Sequence, residues 1–180
     1  MVEAAKRWER IISGDPWGPW DPSSYNNLNL KFVATQRPTD TIDDIYVAVL
    51  VGPIDGSDGR FAEAGPDLLK YLPDGTTQIL AASIKIDEAD LQKVLNKEIF
   101  GDLMLHELGH ALGLGSLWQS GVHTSGAEYV GEKAVLAWRD IGCMGPLPLA
   151  SLDDRSHWNE DCLQNEGKCR SDVDVRNEGF

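Results

Sequence analysis

One five-residue pattern constrains this chain more than any other feature. Residues 106–110 read His-Glu-Leu-Gly-His and lie in a strongly apolar segment, residues 99–112, which Gly113 ends. This segment predicts a helix with glycine as its terminator. Residues four apart lie on one helical face, about 6 Å apart along the axis. Both imidazoles can therefore reach one zinc ion through bonds of about 2.1 Å, which predicts His106 and His110 as metal ligands.

Glu107 stands one position round the helix from His106. Its carboxylate can reach a water on the ion without binding the ion itself. The ion lowers the pKa of that water toward about 7. The carboxylate can then take a proton and pass it to a leaving amine. The alternative is a chance match in a buried helix, but two histidines among Leu and Ala would be poorly hydrogen-bonded there. We therefore predict Glu107 as the base in peptide hydrolysis.

A third metal ligand is needed, because a catalytic zinc site usually has three protein ligands and a water. The longer pattern HExxHxxGxxH expects histidine where this chain has Ser116. The remaining histidines are His123, in a Gly and Ser loop, and His157, beside a tryptophan. Glu128 and Glu132 are further candidates. From the residues alone, the choice among these four stays open.

Four segments resemble the leishmanolysin-like metallopeptidases, especially their shorter bacterial members. They are residues 7–15 (Arg-Trp-Glu-Arg-Ile-Ile-Ser-Gly-Asp), 64–66 (Ala-Gly-Pro), 102–118 around the HExxH pattern, and 129–135 (Tyr-Val-Gly-Glu-Lys-Ala-Val). In that family an insertion separates the helix from the third zinc histidine, which stands in a Ser-His-Trp setting. Residues 156–158 read Ser-His-Trp. The resemblance therefore implies His157 as the third ligand.

The resemblance also implies a fold and an activity. The expected fold is α+β and metzincin-like, with a twisted mixed β-sheet, an active-site helix and a short irregular C-terminal subdomain. It would form one domain over residues 1–180, with an upper part of about 1–113, a lower part of about 114–166 and a tail, 167–180, without a counterpart in the family. The expected activity is that of a zinc metalloendopeptidase with one catalytic ion, a peptide or protein substrate, and a secreted or extracellular location.

Two departures from the family pattern motivate a second hypothesis. The family has Asn-Glu-Leu-Met after its Ser-His-Trp, and the Met forms the turn beneath the zinc. Here Asn165 and Glu166 are followed by Gly167, and the last methionine, Met144, precedes His157. The family also usually has a strand before the helix that carries Arg-Trp-Glu, whereas here that helix is expected almost at the first residue. These departures suggest a fragment or a divergent member, and a catalytically inert zinc-binding module is the alternative function.

Hydrophobic patterns predict the other elements. Residues 45–51 form a near-continuous apolar run, typical of a strand covered on both faces. Residues 78–86 alternate loosely, as expected near a sheet edge. By analogy with metzincins, that strand would bind an extended substrate as an added strand. Further helices are predicted at residues 2–13, at 87–96 with Asp87 as N-cap, and at 132–141.

Length and composition limit the partners. The 180 residues, 42% of them apolar, suit one globular domain. The net charge of -13 argues against nucleic acid and anionic membranes, which attract clustered Lys and Arg. No apolar run approaches the roughly 20 residues of a membrane span, and the first ten residues do not read as a secretory signal.

Two smaller questions are how the cysteines pair and whether two pairs of aspartates bind calcium. The chain has three cysteines, Cys143, Cys162 and Cys169. An odd number cannot pair completely within one chain. A Cys162–Cys169 disulfide and unpaired thiols both remain open. We assign no calcium site to the two aspartate pairs, Asp55 with Asp58 and Asp153 with Asp154, because neither has EF-hand spacing.

Overall fold

The computed structural model describes residues 1–12, 18–25, 38–96, 99–119, 121–140, 142–143, 145–150 and 155–158. The chain divides into two compact units, Met1–Gly113 and Leu114–Phe180. The described residues form several helices and a mixed β-sheet, which confirms the α+β class. None of the helices in these ranges has both the length and the apolar character needed to cross a bilayer.

The described part of the first unit contains three strands and three α-helices. They are α1 (Val2–Ile11), β1 (Tyr46–Gly52), β2 (Ala62–Tyr71), β3 (Thr77–Asp87), α2 (Leu91–Asn96) and α3 (Phe100–Ala111), with a short 3-10 helix at Pro22–Ser24. The predicted strands at 45–51 and 78–86 and the predicted helix at 99–112 are present. The helix predicted at 2–13 is present to Ile11, and Ser13 lies outside the described residues.

The order of the sheet contradicts the position expected for residues 78–86. The order is β1-β3-β2, with β1 parallel and β2 antiparallel to β3. The edge position predicted for residues 78–86 is therefore wrong, and residues 80–84 are fully buried. Because β3 is paired on both sides, it has no free edge for a substrate strand. Its Ala81, Ala82 and Ser83 looked weakly apolar, but small side chains suit a central strand with packed layers on both faces.

The strand predicted to be covered on both faces, β1, pairs only with β3 among the described strands. Only Ala48 and Gly52 of β1 are buried, and Val51 is 44% exposed. A run of β-branched residues indicates strand formation, but it does not distinguish a central from an edge strand. The strand itself was predicted correctly, but the prediction that both of its faces are covered was wrong.

Sequence patterns missed β2 because glycine and proline interrupt it. Gly65 and Pro66 lie in the middle of the strand, and both residue types are depleted in strands. The register with β3 shifts just after Pro66. Proline lacks an N–H group and is tolerated at such irregularities. Antiparallel pairing with β3 therefore outweighs the local preference.

The main core holds α3 against one face of the sheet. Met104, Leu108 and Ala111 of α3 are buried together with Ile84 and Ile86 of β3. Helix α1 packs on the same cluster. Its Trp8 indole N–H donates to the carbonyl of Leu105 at 3.0 Å, which anchors the turn of α3 that precedes His106.

Asp87 is not the predicted helix N-cap. It ends β3, and its carboxylate accepts backbone N–H groups from Ala89 at 3.0 Å, Asp55 at 3.0 Å and Gly56 at 2.9 Å. These bonds, led by that of Ala89, lower the pKa of the Asp87 carboxyl against the opposing effect of burial. The helix itself begins later, at Leu91. A carboxylate near a helix start can bind a neighbouring loop as readily as the helix, and here Asp87 ties down the loop between β1 and β2.

The second unit is built from short elements. They are β4 (Thr124–Ser125), β5 (Glu128–Tyr129), α4 (Glu132–Asp140) and β6 (Leu147–Pro148), and the strands form an antiparallel sheet in the order β4-β5-β6. The predicted helix at 132–141 is present to Asp140, and Ile141 lies outside the described residues. A small core contains Trp138 of α4, Cys143, and Leu147 of β6. Cys143 is disulfide-bonded. Cys162, Cys169, Asp153, Asp154 and the tail lie outside the described residues.

Candidate metal centre

Helix α3 presents the HExxH residues with different exposures. His106 is exposed, His110 is half-buried and Glu107 is 4% exposed. The helix ends at Ala111, and Gly113 follows with a φ of 96°, a left-handed conformation that glycine adopts without strain. The predicted helix thus places both histidines and the glutamate on one rigid, well-packed element.

The two imidazoles point their Nε2 atoms at a common position. These atoms are 3.0 Å apart, and the rings lie 4.6 Å apart and nearly perpendicular. Two nitrogens about 2.1 Å from one tetrahedral zinc ion would lie about 3.4 Å apart. The observed spacing is close to this value, and imidazole is a common zinc ligand. The donor set of α3 therefore fits a zinc ion as two of its ligands.

Glu107 is a buried carboxylate with an unsatisfied oxygen. Its Oε2 has no hydrogen-bond partner among the described residues. Burial raises the pKa of Glu107 to about 7, with a smaller contribution from the negative charge of Glu63, and the positive charge of Arg60 acts in the opposite direction. An unsatisfied buried polar group costs about 1–3 kcal/mol. The same burial gives Glu107 a pKa at which its carboxyl can accept and release a proton near neutral pH.

Sequence patterns missed the neighbouring charges of Arg60 and Glu63. The Arg60 guanidinium donates to the Glu63 carboxylate at 3.1 Å. Arg60 belongs to the loop after β1, and Glu63 is near the start of β2. Neither stands in a recognisable motif, and β2 itself was not predicted. Only the folded sheet brings their charges near Glu107.

In the second unit, His157 is held by both backbone and side-chain contacts. Its carbonyl accepts the N–H of Ala150 at 2.8 Å, and Trp158 forms a β-bridge with Leu149. The imidazole Nδ1 lies 3.1 Å from the Ser156 hydroxyl oxygen. His157 is half-buried. Its role as third ligand remains a prediction.

His123, the other histidine of this unit, has a different hydrogen bond. Its Nδ1 accepts the backbone N–H of Gln119 at 3.1 Å. A neutral imidazole that accepts at Nδ1 carries its proton on Nε2, where no lone pair remains for a metal. This contact makes His123 the poorer candidate. The two glutamate candidates, Glu128 on β5 and Glu132 at the start of α4, are both exposed.

Comparisons of the chain with protein-family models, with curated proteins and with solved structures gave no match. The resemblance to leishmanolysin-like peptidases therefore rests on the four sequence segments and on the Ser-His-Trp motif at residues 156–158.

Proposed function

We propose that this protein is a zinc-dependent metalloendopeptidase with a metzincin-like fold, related to the leishmanolysin-like peptidases. The observation that carries the proposal is on α3. Paired imidazole nitrogens 3.0 Å apart lie one helical position from a buried carboxylate with an unsatisfied oxygen. Histidine pairs with this spacing, next to a glutamate on the same helix, are typical of zinc peptidases.

In this proposal His106 and His110 bind the ion through Nε2, and His157 supplies the third imidazole. This leaves one position of a four-coordinate catalytic site open. A bound zinc ion contributes Lewis acidity toward the scissile carbonyl and the attacking water. Because α3 packs against both α1 and the sheet, its two proposed ligands need little ordering when the ion binds.

Glu107 carries out the proton transfers. Its carboxylate takes a proton from the attacking water and returns it to the nitrogen of the departing amine. A pKa raised to about 7 by burial suits both steps near neutral pH. Arg60 and Glu63 modulate the field at this carboxylate from the side of β2.

The substrate would bind along β2. An extended peptide can add as a strand only to an edge with unpaired N–H and C=O groups. Among the described strands, β2 pairs on one side only, with β3. It also carries Glu63, whose charge acts on Glu107. These two features make β2, rather than β3, the strand that aligns the peptide with the base.

A secreted location is part of the proposal. Cys143 is disulfide-bonded and 3% exposed. Disulfides persist mainly in oxidising compartments. This bond therefore supports extracellular work.

The function is tested with the purified full chain. We expect about one zinc per chain. Cleavage of a mixed peptide library should stop when the metal is chelated and return when zinc is restored. Glu107→Gln should keep the zinc and lose about 10²–10⁴-fold in kcat/KM, the usual contribution of a general base. The matched control is Glu128→Gln, at an exposed glutamate of β5, which should cleave normally.

Each unfavourable result has a definite meaning. Cleavage that survives Glu107→Gln would contradict the mechanism. Zinc binding without cleavage of any library member would support the alternative, a zinc-binding module without catalytic activity, which the absence of a methionine after His157 favours.

A further inference from the structure

The side chain next to His157 bears on which of its nitrogens can bind a metal. A neutral imidazole has one N–H and one lone pair, and the hydrogen bond of one nitrogen selects the state of the other. The Ser156 Oγ lies 3.1 Å from Nδ1 of His157. A hydroxyl oxygen can accept an N–H bond, unlike the backbone N–H that faces Nδ1 of His123. The contact of His157 therefore allows the tautomer opposite to that of His123.

Backbone contacts hold Ser156 and His157 in this arrangement. Gly115 has a φ of 74°, and a Cβ on it would overlap the carbonyl oxygen of Ser156. The turn after α3 can approach Ser156 this closely only because residue 115 is glycine. On the other side of the segment, the Ala150 N–H binds the carbonyl of His157.

Aromatic packing fixes the end of the segment. The ring of Trp158 lies 5.3 Å from that of Trp118 and 6.1 Å from that of Tyr129. Such aromatic groups contribute about 0.5–1.5 kcal/mol per pair beyond their buried area. The backbone on both sides of the His157 imidazole is thus restrained, and the Ser156 hydroxyl is placed next to Nδ1.

We propose that Ser156 is a positioning residue for the metal centre: its Oγ accepts the Nδ1–H of His157 and so presents the Nε2 lone pair to the zinc ion. This inference rests on the proposed function, because it assumes His157 as third ligand. Ligand histidines almost always donate their second ring N–H to a nearby acceptor, and loss of that acceptor typically costs 10–100-fold in metal affinity.

The first measurement needs no metal. Two-bond ¹H–¹⁵N NMR spectra of the metal-free full chain, at mildly alkaline pH, report which ring nitrogen of each histidine carries the proton. We expect Nδ1–H for His157 and Nε2–H for His123. Ser156→Ala should shift His157 toward the Nε2–H form and leave His123 unchanged. An Nε2–H form of His157 in the unaltered protein would overturn the inference.

The second measurement is zinc affinity, by competition with a chromophoric chelator. Ser156→Ala should bind zinc 10–100-fold more weakly. Ser156→Thr, which retains the hydroxyl, should restore most of the affinity, whereas a purely structural role for serine would not be rescued by the larger side chain. The matched control is Ser125→Ala, at an exposed serine of β4, which should bind zinc normally.

The outcomes separate this inference from the function on which it rests. Normal zinc affinity in Ser156→Ala, with zinc bound by the unaltered chain, would overturn the inference alone. Weakened affinity with rescue by threonine, in a protein that cleaves no peptide, would support the inference and contradict the peptidase. An unaltered chain that binds no zinc would overturn both.

Discussion

The histidine pair on α3 and the single histidine of residues 156–158 are held in place by different means. His106 and His110 stand on one helix, so their spacing follows from the helical repeat. His157 stands in a segment without regular structure of its own, held by Gly115, Ala150 and packed aromatic rings. Contacts near in sequence position His106 and His110, and contacts distant in sequence position the proposed third ligand, His157. Mutations should therefore act on the two regions in different ways.

The largest effect is expected from the packing of α3. Met104→Ala removes a fully buried side chain between the helix and the sheet and should lower the free energy of unfolding by about 2–5 kcal/mol. The matched control, Leu95→Ala, changes a residue of α2 that is 47% exposed and should cost about 0.5 kcal/mol or less. Denaturant titration measures both. Equal losses would show that α3 does not depend on this core.

Removal of ligands should weaken zinc binding by more than removal of their supports. We expect His110→Ala and His157→Ala each to lose more than the 10–100-fold typical of a group that only orients a ligand. His123→Ala should bind zinc normally, since its Nδ1 is engaged with Gln119. Chelator competition measures all three. A large loss in His123→Ala with normal binding in His157→Ala would reassign the third ligand.

Gly115→Ala tests whether the 156–158 segment depends on a distant contact. The left-handed backbone costs a non-glycine residue about 1–2 kcal/mol, and the added Cβ would also meet the Ser156 carbonyl. We expect lower stability by at least this amount, with weaker zinc binding. Gly126→Ala is the matched control, because it has a similar φ of 61° but open space around the new Cβ. If both variants bind zinc equally, the close approach has no role in placing His157.

The smallest effect is expected in the dependence of stability on acidic pH. The hydrogen bonds of Asp87 lower its folded pKa from an ordinary value near 3.8. Its stabilising contribution is therefore present above that pH and is lost as the pH falls through the folded pKa. Asp87→Asn should flatten the dependence of stability on pH in this acidic range. Unfolding curves measured at several acidic pH values test this, and identical slopes for both proteins would contradict it.

Acidic pH should also affect the two regions differently. Among the described residues, the carboxyl groups with a lowered pKa are Asp21, Asp74 and Asp87, all in the first unit. The 156–158 segment has contacts with a hydroxyl, with backbone groups and with aromatic rings. In the range where Asp87 gains its proton, amide exchange should rise first in the loop after β1.

The sequence by itself determined the α3 helix, its two histidines and its glutamate, because helical periodicity is a local property. It also indicated two strands of the sheet and α4. It could not determine the order of the strands, so β3 was expected near an edge of the sheet. It also predicted cover on both faces of β1, and it missed β2, which Gly65 and Pro66 interrupt. Pairing between strands depends on residues far apart in the chain, and local alternation does not record it.

Only the tertiary structure decided the surroundings of the candidate site. The burial that raises the pKa of Glu107 and the nearby charges of Arg60 and Glu63 follow from contacts between distant segments. A motif specifies which groups stand on one element. The state of those groups depends on the free energy of their environment, and this environment exists only after the chain has folded.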